Sequence, residues 1–175
     1  MLFFVRFLTR CWPQQDLKIR YYELMIEYSR HEKEYLSVCK HYRHIYSTPS
    51  VESDASLWKP VLQCAAVYVV LAPFDNEQSD LLHRISADKK LEDVPLYRYE
   101  KRPFLLSSLL TGHLRVFSEL LRTFTTRELI DWPQFEARFR GDIFGNARLA
   151  AQDPAAIWSV MHERVVEHVR AASRS

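Results

Sequence analysis

Leu57-Trp58-Lys59-Pro60-Val61-Leu62-Gln63-Cys64-Ala65-Ala66-Val67-Tyr68-Val69-Val70-Leu71, closed by Ala72-Pro73, is the stretch whose reading decides the fold. Taken alone, Val67–Leu71 reads as a buried strand. Its alanines, its length and Pro60, which suits the start of a helix, favour a helix over about 57–71 instead. The helix is apolar nearly all round, so neighbours must cover it on every side.

Helical spacing continues on both sides. Ile19, Tyr22 and Ile26 form a stripe that predicts a helix over about 16–29, with Tyr21, Met25 and Tyr28 widening it. Tyr35, Val38, Tyr42 and Ile45 predict a second over about 32–46, and Pro49 with the polar run Ser50–Ser56 breaks the pattern. Downstream, Asp75 reads as an N-cap with Gln78 closing a capping box, for a helix to about Ser86 that turns Leu81, Leu82 and Ile85 inward. Thr125 and Glu128 suggest another capping box, for a helix through Trp132. Asp153-Pro154 offers a cap and a first-turn proline for a last helix ending near Ala172. Two successive hairpins, roughly 18–47 and 57–86, give the outline of a helical-repeat array, an architecture used for binding more than for catalysis.

Composition narrows the function. Glycine occurs 3 times in 175 residues, well under the usual ~7%. No G-x-G-x-x-G and no Walker-type loop exist to cradle a phosphate. A net charge of +2 from 24 basic and 22 acidic residues shows no nucleic-acid stripe. Lys89, Lys90, Arg98, Lys101 and Arg102 are interrupted by Glu92, Asp93 and Glu100, as on a solvated face. Cys11, Cys39 and Cys64 are odd in number and widely spaced, which argues against a disulfide framework and for a reducing compartment. The apolar start Leu2, Phe3, Phe4, Val5 is short, broken by Arg6 and lacks a small-residue cleavage site, so it reads as neither signal peptide nor membrane anchor.

Catalytic chemistry finds no foothold. His31-Glu32-Lys33-Glu34 is followed by Tyr35, so it is not H-E-x-x-H, and neither H-x-H nor G-x-S-x-G occurs. His41 and His44 share a helix face, but Cys39 points elsewhere, so the three do not converge as a tetrahedral metal site must. No catalytic, cofactor or metal residue is assigned. Pro73, Phe74, Asp75, Asn76, Glu77, Gln78 and Asp80 read as a structural joint or a subunit contact: their polar residues sit between helices, and Pro73 ending one helix with Asp75 capping the next makes the structural joint the stronger reading.

Several stretches together carry a family resemblance. They are Asp16–Ile26, Lys40–Tyr46 with Thr48-Pro49, the long run Leu71-Ala72-Pro73-Phe74-Asp75-Asn76-Glu77-Gln78-Ser79-Asp80-Leu81-Leu82-His83-Arg84-Ile85, Asp88–Leu91 and Pro95-Leu96-Tyr97. Phe124-Thr125-Thr126, Glu128-Leu129, Trp132 and Arg164–His168 add to them. The chain resembles the PCI-domain non-ATPase subunits of the proteasome regulatory lid. The resemblance implies an all-α protein, a helical-hairpin array leading into an incomplete PCI helical region with the winged helix absent. It divides the chain into an atypical segment 1–15, a helical-repeat region 16–97, an insertion at 98–118 and a truncated PCI-type region 119–175. It implies a cytoplasmic and nuclear scaffold with no active site, contacting other lid subunits and neither membrane, nucleic acid nor small-molecule substrate. Rivals are a sister PCI complex such as the COP9 signalosome, and a nucleic-acid-binding helical module of translation initiation. The 99–117 stretch, with Leu105, Leu106, Leu109 and Leu110 between Pro103 and Gly112, is expected to be looped out, poorly packed or an extension of the next helix, and removable without loss of stability.

Overall fold

The structure is a computed structural model that describes residues 14–92, 104–126, 128–150 and 154–173. Among the described residues there are ten helices and no strand. They are α1 (Gln14–His31), α2 (Tyr35–Tyr46), α3 (Pro49–Glu52), α4 (Ala55–Leu71), α5 (Asn76–Ser86), α6 (Lys89–Glu92), α7 (Phe104–Thr125), α8 (Trp132–Phe144), α9 (Ala147–Ala150) and α10 (Pro154–Ala172). Segment 1–13, Arg98, Lys101, Arg102 and Asp153 lie outside the described residues, as does Pro95-Leu96-Tyr97.

The deciding stretch is the helix α4, and it is the axis of the fold. Val61, Leu62 and every residue from Cys64 to Leu71 are buried. Its neighbours are α2, α3, α5, α7, α9 and α10. The hairpins α1–α2 and α4–α5 form as expected, but the arrangement is not a purely linear array. In a solenoid each unit touches only its sequence neighbours, whereas α4 is also packed by helices far along the chain. A helix apolar on all sides leaves no face for solvent, and each large side chain it buries contributes about 1.5–3 kcal/mol. The small side chains Ala65 and Ala66 let α2 come close, and the Cys39 thiol donates to the Ala65 carbonyl at 3.4 Å. Tyr68, fully buried, stacks on Tyr42 and Tyr35 with ring centroids 5.6 and 6.3 Å away. Pro60 is not in the first turn but inside the helix. It forgoes the bond to the carbonyl four residues back, and its own carbonyl accepts from Asn146 Nδ2 at 3.3 Å, tying α4 to the start of α9.

The connections are tight. α1 ends in a Schellman motif: Glu34 N–H donates to the Ser29 carbonyl at 2.8 Å and Lys33 N–H to the Arg30 carbonyl at 3.1 Å. Lys33 takes φ 59°, a left-handed conformation that a Cβ disfavours. Lys33→Gly is therefore expected to raise the unfolding free energy by about 0.5–1 kcal/mol. Chemical denaturation checks this, and no gain would mean that Lys33 carries no strain. The polar run after Pro49 is not a plain break. Thr48 and Pro49 start the single turn α3, which inserts Val51 into the core. Asp54 then caps α4, accepting from Ser56 N–H at 2.8 Å and Ser56 Oγ at 2.7 Å.

The C-terminal half departs further from expectation. α7 runs through Gly112 without interruption, and Leu114, Val116, Phe117, Leu120 and Leu121 are buried in the common core. Of the three outcomes expected for 99–117, lengthening of the following helix is the one observed from Phe104 onward. Thr125 does not cap a helix after it. It ends α7, with Oγ1 donating to the Arg122 carbonyl at 2.9 Å, and the next helix starts at Trp132 rather than passing through it. α8 and α10 join through aromatic rings, with Trp132, Phe135 and Trp158 clustered at centroid distances of 5.3–6.2 Å. The Trp158 indole donates to Glu136 at 3.0 Å. Pro154 takes the first position of α10, as its sequence suggests.

Candidate interaction surface

The joint between α4 and α5 follows from Pro73. A residue before proline is pushed to extended backbone, and Ala72 sits at φ −65°, ψ 142°, ending the helix. Pro73 also removes the N–H that the Val69 carbonyl would have accepted four residues on. Gln78 supplies a replacement: its Nε2 donates to that carbonyl at 2.9 Å, with the side chain buried. The expected capping box is thus half formed. Asp75 caps α5, accepting from Asn76 N–H at 2.6 Å, while Gln78 turns inward instead of back to the cap. Glu77 reaches Lys40 on α2 at 2.7 Å, and Asp80 pairs with Arg84 at 2.9 Å. Pro73, Phe74, Asp75, Asn76, Glu77 and Asp80 are exposed; Phe74, at 79%, is the most exposed of the large apolar side chains described.

Phe74 stands at the edge of a groove of roughly 680 Å³. The joint forms one wall, Phe124–Thr126 at the end of α7 the second, and the last turns of α10 the third. His168 lies edge-on to Phe124 at 5.5 Å, and Arg164 is held by Glu167 at 2.6 Å. Gln78 Oε1, Arg164 Nε and His168 Nε2 are buried with no hydrogen-bond partner. Groups left in that state cost about 1–3 kcal/mol each. The groove combines apolar walls with a few polar groups, the composition of a recognition site. Of the seven residues singled out in the sequence, Pro73, Phe74 and Gln78 line the groove, all on one wall, and Asp75, Asn76, Glu77 and Asp80 do not. Phe124, Arg164, Glu167 and His168 come from elements far along the chain, and no local spacing places them opposite Phe74.

The other candidates are occupied structurally. The Cys39 thiol is pushed up to about 12 by burial and bonds the Ala65 carbonyl. The His44 ring stacks on Tyr22 at 4.8 Å, and His41 packs on the same ring at 5.8 Å, its pKa lowered first by burial and then by His44 and Lys40. Among the described residues no three His, Cys, Asp or Glu side chains converge to hold a metal. No described helix is long and apolar enough to cross a membrane.

A family model described as PSMD12/CSN4, N-terminal, matches residues 8–54. The match starts inside the 1–15 segment that looks atypical in sequence. The 26S proteasome regulatory subunit rpn501 of Schizosaccharomyces pombe is 35% identical over 156 residues, 88% of this chain and 31% of that one. The chain is homologous to proteasome regulatory subunits. The regulatory subunit RPN5 of Saccharomyces cerevisiae is 31% identical over the same share of this chain and 30% of its own. The non-ATPase regulatory subunit 12 of Dictyostelium discoideum is 33% identical over 154 residues, again 30% of its length. The chain thus spans about a third of the length of the relatives it matches.

Proposed function

We propose that this chain is a non-catalytic scaffold element of the proteasome regulatory lid, the counterpart of part of non-ATPase subunit 12, serving ubiquitin-dependent protein degradation. It packs against other PCI-type lid subunits in a hetero-oligomer in the cytoplasm and nucleus. One observation carries this reading. Leu71–Ile85, Phe124–Thr126 and Arg164–His168, three separated stretches that each resemble the lid family, meet around a single groove with an exposed phenylalanine at its edge. Buried aromatic anchors in interfaces commonly account for 2 kcal/mol or more of binding.

The test is affinity purification of the tagged chain from cells, with co-purifying subunits quantified by mass spectrometry. Lid subunits are expected with the wild-type chain, and Phe74→Asp should reduce their recovery by about tenfold or more while leaving the melting temperature unchanged. Recovery without lid subunits, or indifference to Phe74→Asp, sinks the reading. The family model's name also includes CSN4; a COP9 signalosome set in the same purification would establish that sister complex instead.

A further inference from the structure

Helix α1 has two apolar stripes where a helix packed on one side needs one. Ile26 and Ser29 are buried against the fold, and Ile19 and Tyr22 pack on its core. Leu17, Tyr21, Leu24 and Tyr28 are 41%, 56%, 51% and 61% exposed. At about 100° per residue the second stripe lies roughly 150° around the helix from the first. Its spacing of four, three and four residues is that of a coiled-coil seam, and tyrosine and leucine alternate along it.

The charges beside the seam say what covers it. Arg20 and Glu27 flank one side, Lys18 and Met25 the other. Beside the seam the N-terminal half is basic, with Lys18 and Arg20, and the C-terminal half acidic, with Glu27. Glu27 and Lys18 have no ion-pair partner among the described residues, and Arg20 meets only Glu23, at 3.5 Å on the surface. A charge pattern that reverses along the helix complements itself when a second copy is turned end for end. Leu17 then meets Tyr28 of the second copy, Tyr21 meets Leu24, and Arg20 meets Glu27 twice by symmetry. A parallel pairing sets Arg20 beside Met25 and Glu27 beside Glu32, with no ion pair gained.

We propose that α1 pairs antiparallel with α1 of a second copy through Leu17, Tyr21, Leu24 and Tyr28, a homotypic contact distinct from the groove at Phe74. Four apolar side chains a copy fall well short of the ~20–30 residues a side in a standard interface. The dimer is accordingly weak and concentration-dependent.

Sedimentation velocity of the full chain over a wide concentration range tests this. A reversible monomer–dimer equilibrium is expected, lost in Tyr21→Lys. Arg20→Glu alone and Glu27→Arg alone each put like charges together twice and should weaken the dimer about tenfold. An equimolar mixture of these two variants should recover it, because each then meets its opposite on both sides. Circular dichroism should show all three variants folded, their positions being exposed. A chain that stays monomeric throughout, a dimer unmoved by Tyr21→Lys, or a mixture that does not recover would each overturn the proposal.

Discussion

Tyr68→Ala is expected to lower the unfolding free energy by about 3–5 kcal/mol, the cost of truncating a large aromatic ring in a closed core. Tyr68 has no solvent exposure and sits where Tyr35 and Tyr42 of α2 stack against α4. Removing the ring opens a cavity between two helices that rest on each other through it, and α4 cannot shift to fill it without disturbing α7 and α10. A domain's whole stability is about 5–15 kcal/mol, so the variant should be partly unfolded at physiological temperature. Tyr68→Phe keeps the stacking and should cost about 1 kcal/mol. Urea denaturation of the three proteins gives the comparison. A loss below 1 kcal/mol in the alanine variant would mean that α4 is not the axis of the fold.

Phe117→Ala should cost a similar amount, about 3–5 kcal/mol. The residue is 1% exposed and lies with Leu114 and Val116 in the shared core. Sequence reading places it within a removable insertion; the structure gives the end of that segment a packing role. Deleting Tyr99–Phe117 removes all three buried side chains and should therefore cost more than the single substitution, contrary to the expected neutrality. A deletion variant that unfolds at the wild-type urea midpoint would restore the view of the segment as an appendage.

What could be read in advance depends on whether the cause is local. α4 was legible because alanines, length and all-round apolarity act within one stretch. The start of α10 was legible because proline at a first position needs no partner. Lys33 is not legible in sequence, since a left-handed cap normally announces itself by glycine and here does not. Thr125 misled because a threonine three residues before a glutamate also suits a helix end, where its hydroxyl bonds back to a carbonyl. Gln78 misled in the same way: it matches a capping box, but a carbonyl orphaned by Pro73 on the preceding helix competes for its amide. The groove was half legible. Its Phe74 wall is a continuous run, whereas its other walls depend on how α7 and α10 settle around α4, which no periodicity encodes.

The Gln78–Val69 bond also bears on how the molecule comes apart. A helix usually frays from its ends, one turn at a time, at almost no free-energy cost. Here the last turn of α4 is completed by a side chain that reaches it only once the first turn of α5 is in place. Loosening either end breaks a bond that closes the other, so the opening of the two ends is coupled at the corner that carries Phe74.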